Sequence, residues 1–340
     1  MGIIVPRGEK NLESAFGRIP RINLEYDDAK RTEIGRAMVR ALIDHGVIVL
    51  VTNAEDTRMA SDVHSSVANF FAMTVEEKVR ASDVANESGY RKWGHSRSCF
   101  GFPELDDSVL RKANMQIHGQ EYDERIMALD RDLARFQKFS EGVVRLLLNG
   151  LMEYYDSDSD VDFAPYSAVQ ANSYARPTQE QIDEAARDML DPVAKQRLRE
   201  MTVESAIEQE ESQGLHDDEE IATVMLPASH PALLFEVKGS DGGLYVLARL
   251  KKDEVAIIPS RVLWRLSGGE IEGLRHKVRN RLKENIDRRS IQYFVNSPPH
   301  VEAFKENETN RGIDIGQEAA DRAVALFNSH PSLFVNPDVR

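Results

Sequence analysis

The stretch LRHKVRNRLKENIDRRSIQYF, Leu274 to Phe294, contains two alternating patterns whose phase decides how the rest of the chain is read. Its first half places charge on Arg275, Lys277, Arg279, Arg281 and Lys283, with His276, Val278, Asn280 and Leu282 between them. Successive side chains of a β-strand point to opposite faces, so this is a strand with a solvated basic face and a buried face carrying His276. An acidic turn, Glu284 to Asp287, leads into a second strand on which Arg288, Ser290, Gln292 and Phe294 share one side. An arginine facing an interior needs an anion, because an unpaired buried charge is costly. A ligand carboxylate fits the guanidinium fork, with the Ser290 hydroxyl as a further donor.

Other short β-rich runs surround this pair. SAVQANSYA, ATVML, ALLFEV, GLYVLARL, EVAIIP and VLWRLSG, with LRHKVRN and SIQYFVN, are bounded by Gly, Pro or Asp and predict a barrel or a double-sheet jelly roll. A charged stretch from Thr178 to Ser212 interrupts them with two helix starts, Thr178 with Gln181 and Asp191 before Pro192. Upstream the pattern is helical. Ile34, Met38, Ala41 and Leu42 share a helical face, Gly46 stops that helix, and Val47 to Val51 form an apolar strand. A helix over Asp56–Met73 and a capping box at Thr74 and Glu77 follow, then the irregular GYRKWGHSRSCFGFPELDD, then a long helix over Tyr122–Tyr155. The first twenty residues read as a loose lead-in, and a helix over Gly316–Asn328 closes the chain.

The expected fold is therefore mainly β with flanking α: a double-stranded β-helix (jelly-roll) core with N-terminal helices, a helical insert and a C-terminal helix. No linker divides it, so residues 1–340 form a single domain. Within it lie a helical region over 1–160, a core over 161–300 with its insert at 178–212, and a closing segment over 301–340.

Composition narrows the function. A net charge of −14 argues against binding phosphate backbones, so no nucleic acid is expected as a partner. No apolar run is long enough to span a bilayer and no export signal is read at the start, which leaves no membrane partner. Cys99 is the only cysteine, suiting a reducing cytoplasm. With no base paired to it, it reads as a core or pocket residue, not a nucleophile. His45, His64, His95, His118, His230, His300 and His330 belong to no ligand pattern and read as structural or exposed.

One more stretch carries chemistry. GLHDDEEIATVML, Gly214 to Leu226, sets His216 ahead of four carboxylates. Read as the start of a strand, it puts His216 and Asp218 on one face, where they offer a nitrogen and an oxygen to a metal, with Asp217, Glu219 and Glu220 left to solvent or capping the strand start. His276 is the best third ligand. Two histidines and one carboxylate leave open positions on a metal, the arrangement of non-haem Fe(II) oxygenases, and Arg288 with Ser290 points to a bound 2-oxo acid.

These residues, in this order, resemble the isopenicillin-N-synthase-like branch of the Fe(II)/2-oxoglutarate-dependent oxygenases. The branch's His-x-Asp, His and Arg-x-Ser pattern matches His216, Asp218, His276, Arg288 and Ser290. The threonine usual after the first ligand is matched by Thr223, and its Asn-x-Tyr by Asn172 and Tyr174. HGVIVLVTNAE and FFAMTVEEK are similar to its N-terminal region, so the resemblance covers about Arg21 to Pro298. Three features depart from it: Asp217 stands where Thr or Ser is common, the spacing from His276 to Arg288 is slightly long, and the insert before His216 is long.

The resemblance implies an Fe(II) held by His216, Asp218 and His276. It implies 2-oxoglutarate with its far carboxylate on Arg288 and Ser290, helped by Asn172 and Tyr174, and O2 as oxidant. Oxidative decarboxylation to succinate and CO2 would then drive hydroxylation, desaturation or ring formation at an unactivated C–H bond of a small polar metabolite, in specialised metabolism. Arg91, Lys92 and Arg97 are the candidates for contacting the small-molecule substrate, with the insert as a lid. The retained Asp218 argues against halogenation. An Fe(II)/O2 oxidase that does not use 2-oxoglutarate, a zinc hydrolase and a non-catalytic binding protein on the same fold are the alternatives.

Overall fold

The structure, a computed structural model, describes residues 16, 19–24, 30–74, 77–78, 89–93, 97–102, 123–159, 161–188, 192–209, 211–236, 245–308, 310–319 and 321. Of 89–93, 97–102, 188, 194, 245 and 246 it describes the backbone alone.

Strand β1 (Arg21–Asn23) is followed by helix α1 (Arg31–His45), strand β2 (Ile48–Val51) and helix α2 (Ala54–Phe71). Strands β3 (Gly89–Trp93) and β4 (Arg97–Phe102) precede the long helix α3 (Glu124–Tyr155). Helix boundaries follow local chemistry. Gly46, at φ 73°, ends α1 and donates its N–H to the Leu42 carbonyl. The Asn53 side chain accepts the N–H groups of Glu55 and Asp56 to start α2, and Asp123 does the same for Arg125 at the head of α3. The capping box forms: Thr74 N–H donates to Glu77 Oε2 at 2.8 Å and Glu77 N–H to Thr74 Oγ1 at 3.2 Å.

After β5 (Ala168–Tyr174) the insert contains helices α4 (Gln179–Asp188), α5 (Pro192–Arg199) and α6 (Val203–Glu208). Strands β6 (Glu211–His216), β7 (Ala222–Met225), β8 (Leu233–Glu236), β9 (Tyr245–Leu247) and β10 (Glu254–Pro259) lead to a short helix α7 (Arg261–Leu266). Strands β11 (His276–Arg279) and β12 (Arg288–Val295) complete the core, and residues 315–319 are helical.

The strands form two sheets. The larger has the order β1-β2-β10-β7-β12-β5-β4-β3 and the smaller β6-β11-β8-β9. All neighbours are antiparallel except β1 and β2. The outer face of the larger sheet packs α1, α2 and α3 through one apolar core that includes Leu50, Val169, Val224, Ile257, Ile291 and Tyr293 with Met38, Phe70 and Phe136. Helices α1 and α3 approach so closely that a Cβ on Gly150 would sit 2.5 Å from the Gly35 carbonyl oxygen. A smaller apolar cluster, with Val49, Met225, Leu233, Phe235, Ile258 and Val278, lies between the two sheets. No described helix is long and apolar enough to cross a membrane.

The jelly roll is thus two facing sheets and, among the described residues, not a closed barrel. Helix outweighs strand, so the fold is less β-rich than the sequence reading has it. VLWRLSG is a helix, not a strand: Val262, Leu263 and Leu266 are buried at helical spacing in α7. The segment read as irregular from Gly89 supplies a hairpin, β3 and β4, whose second strand pairs with β5. That β4–β5 pairing is non-local and has no local signature. The lead-in, the Asp191 cap and the closing helix beyond residue 321 lie outside the described residues.

Candidate metal centre

His276 opens β11 and pairs in register with His216, the last residue of β6. That pairing sets the two imidazoles side by side, with ring centroids 4.3 Å apart and planes at 55°. After His216 the chain leaves the strand, and the turn brings Asp218 back to the same point. The strand phasing expected across His216 and Asp218 is therefore replaced by a strand end and a turn, with the same convergence. Asp218 Oδ1 lies 3.6 Å from the Nε2 of each histidine. One ligand atom from each residue lies within 4.8 Å of the other two.

Each member is oriented by a bond on its far side. The Nδ1–H of His216 donates to the Gly214 carbonyl at 2.8 Å, and that of His276 to the Leu274 carbonyl at 3.0 Å. Both rings thus turn Nε2, with its lone pair, to the cluster. The Thr223 hydroxyl donates to Asp218 Oδ2 at 2.6 Å, occupying one carboxylate oxygen and leaving Oδ1 for the centre. Nitrogen and oxygen ligands about 2.1 Å from a common ion stand roughly 3–4 Å from one another, so the donor set fits a divalent transition metal.

Three features were not read from the sequence. The Gln213 amide donates to His216 Nε2 at 2.8 Å. Glu220 does not extend into solvent: it is half-buried, its Oε2 enclosed without a hydrogen bond, and burial together with the charge of Asp218 pushes its carboxyl up to about 8. The third is a polar row on the inner face of β5 and β12. Gln170, Asn172 and Gln292 are joined by side-chain bonds of 2.7 Å each, and Gln292 reaches Ser290 at 3.1 Å. The alternation already quoted placed Gln292 and Ser290 together; nothing local showed that Gln170 and Asn172 would meet them.

Arg288 and Ser290 are 2 % and 0 % exposed, so both face inward as their phase requires. The Arg288 guanidinium lies over the Tyr174 ring, 5.2 Å from its centroid. It is the only charged residue, among the described ones, lining a cavity of about 30 Å³ between the sheets, beside Met225, Leu233, Phe235, Leu250 and Ala256. Thr223, which holds Asp218, pairs with Phe294, so the inner face of β12 runs from Arg288 through Ser290 and Gln292 toward the metal centre. A larger cavity of about 540 Å³ lies elsewhere, between the helices, and contains no member of the cluster.

Register extends this wall to the sheet edge. Arg97 pairs with Tyr174, which pairs with Arg288; Arg91 pairs with Cys99, which pairs with Asn172. Lys92 belongs to the alternate row, with Ser98 and Ser173. The side chains of Arg91, Lys92 and Arg97 lie outside the described residues. The insert ends against the turn between β11 and β12: the Asn280 amide donates to the carbonyls of Ala206 and Ile207, and Lys283 pairs with Glu208 at 2.7 Å.

Comparison with known proteins bears on the whole chain. Residues 19–106 match the family model described as the non-haem dioxygenase in morphine synthesis N-terminal region. No curated protein matches the sequence. Among solved structures, a full-length Neurospora crassa protein in complex with alpha-KG and 5-formyluracil superposes with a TM-score of 0.65 at 17% identity, over 90% of this chain and 96% of that one. Dioxygenase for auxin oxidation 1 from Arabidopsis thaliana, in its 2-oxoglutarate complex, gives 0.61 at 18% identity, over 86% and 100%. The dioxygenase for auxin oxidation in rice gives 0.64 at 14% identity, over 91% and 96%. The chain has the fold of these three proteins.

Proposed function

We propose that this protein is a non-haem Fe(II)- and 2-oxoglutarate-dependent oxygenase that oxidises an unactivated C–H bond of a small polar metabolite. The observation that carries the reading is the convergence of His216, Asp218 and His276, with one ligand atom of each within 4.8 Å of the other two. Iron bound there would supply O2 activation coupled to oxidative decarboxylation of 2-oxoglutarate.

The chain's own residues prepare that chemistry. The Gly214 and Leu274 carbonyls hold both histidines in the tautomer a metal requires, and Thr223 holds the carboxylate. The Arg288 guanidinium and Ser290 hydroxyl bind the far carboxylate of 2-oxoglutarate at the dry end of the inner face, where apolar neighbours strengthen the pairing. Tyr174 supports the guanidinium through its ring, and Asn172 acts through its bond to Gln292. Arg91 and Arg97 share rows with the co-substrate residues and are the better placed of the three substrate candidates; Lys92 is in the alternate row. The single cysteine fits a cytoplasmic enzyme.

The deciding experiment is an anaerobic titration with Fe(II) and 2-oxoglutarate, followed by the visible metal-to-ligand charge-transfer band. The band is expected in the native protein and absent from His276→Ala and Arg288→Ala. Iron binding without the band would identify an oxidase that does not use 2-oxoglutarate, and no iron binding would identify a binding protein on an oxygenase fold.

A further inference from the structure

We propose that Gln292 is a positioning residue for the far carboxylate of 2-oxoglutarate, acting through the Ser290 hydroxyl; this rests on the function proposed above. Register sets Ser290 opposite Asn172 and Gln292 opposite Gln170 on neighbouring strands. The four side chains form one hydrogen-bonded ladder with a single direction. Gln170 Nε2–H donates to Asn172 Oδ1 at 2.7 Å, Asn172 Nδ2–H donates to Gln292 Oε1 at 2.7 Å, and Gln292 Nε2–H donates to Ser290 Oγ at 3.1 Å.

Direction matters because a hydroxyl has one proton. The Ser290 oxygen accepts from Gln292, and among the described residues its own O–H is given to no acceptor. The proton therefore remains available to a ligand on the inner face, next to Arg288 on the same side of β12. A carboxylate accepts hydrogen bonds and donates none, so it needs that proton. Were the ladder reversed, Ser290 would donate to Gln292 and turn only lone pairs to the anion. Aligned bonds polarise one another, so the last donor in the row is strengthened by those behind it. Simple satisfaction of buried amides would require the bonds but not this direction.

The two roles separate by ligand. Gln292→Met removes the donor at similar volume, and Gln292→Glu keeps the shape while accepting only, so it turns the last bond round. Affinities of the iron-loaded full chain are measured anaerobically for 2-oxoglutarate and for 2-oxobutyrate, a 2-oxo acid without the far carboxylate. Ser290→Ala is expected to weaken 2-oxoglutarate about ten-fold, as for a bond to a charged group, and Gln292→Met roughly five-fold, with 2-oxobutyrate unchanged in both. The double variant Gln292→Met/Ser290→Ala should bind no more weakly than Ser290→Ala alone. Equal weakening of both acids, additive losses, or unchanged 2-oxoglutarate affinity in both Gln292 variants would overturn the inference while leaving the proposed function standing. A native protein that binds 2-oxoglutarate no better than 2-oxobutyrate would overturn the co-substrate assignment itself.

Discussion

Strand β12 borders two interiors of opposite character. On its outer side Ile291, Tyr293 and Val295 are fully buried against the helix-covered core, and the matching residues of β5 and β7 are Val169, Ala171, Ala222 and Val224. On its inner side the same strand presents Arg288, Ser290 and Gln292, tied sideways to β5 by directional bonds. The outer face is held by area removed from water, which depends on volume and little on direction. On the inner side of β12 the apolar cluster between the sheets is interrupted by polar side chains, and these are placed by directional hydrogen bonds. One strand thus separates the part of the molecule that provides stability from the part that provides chemistry.

The comparison can be broken from its outer side. Phe136, at 0 % exposure, fills the core between α3 and the sheet. Phe136→Ala is expected to cost about 3–5 kcal/mol in denaturant unfolding, while the folded fraction keeps native iron affinity. An equal loss of iron affinity in folded protein would mean that the two interiors are mechanically one.

It is sharpened from the inner side. Thr223→Val keeps the shape and removes the hydroxyl bonded to Asp218. Iron affinity should fall by roughly 10–100-fold in calorimetric titration, as for other groups that orient a ligand, with little change in unfolding free energy. A large stability loss with unchanged iron affinity would place Thr223 with the core instead.

The smallest effect concerns pH. His64, on α2, is half-buried beside the Pro227 carbonyl, and desolvation is the main cause that lowers its pKa below the usual 6.5. A histidine kept neutral in the folded state contributes stability that is complete above the unfolded value and is lost as pH falls through it. Stability should therefore decline below about 6.5, and His64→Gln should flatten that decline, as read from unfolding midpoints across the range.

Much of this was legible in the chain because strand phase is local. Alternation placed His276, Val278, Arg288 and Ser290 on their buried face, but β11 stops at Arg279 and Leu282–Glu284 is a 3-10 turn, so the alternation does not continue as strand to Lys283. Helix boundaries fall where apolar spacing and a cap agree, as at Gly46 and Thr74. VLWRL was misread because a short apolar run fits either period, and only its burial as Val262, Leu263 and Leu266 distinguishes them. The β3–β4 hairpin has no such phase, and β4 is held in the sheet by β5, which lies far along the sequence.

What the sequence by itself determined was which residue types share a face and which are far too polar to be buried without a purpose. The tertiary structure decided how they meet. Asp218 reaches the two histidines from a turn, because β6 ends at His216 and Thr223 draws the carboxylate in. Gln170 and Asn172 meet Gln292 and Ser290 because strands separated by more than a hundred residues lie in register. Alternation follows from the geometry of a single strand, whereas convergence depends on which strands pair and where the chain turns, and those are properties of the whole fold.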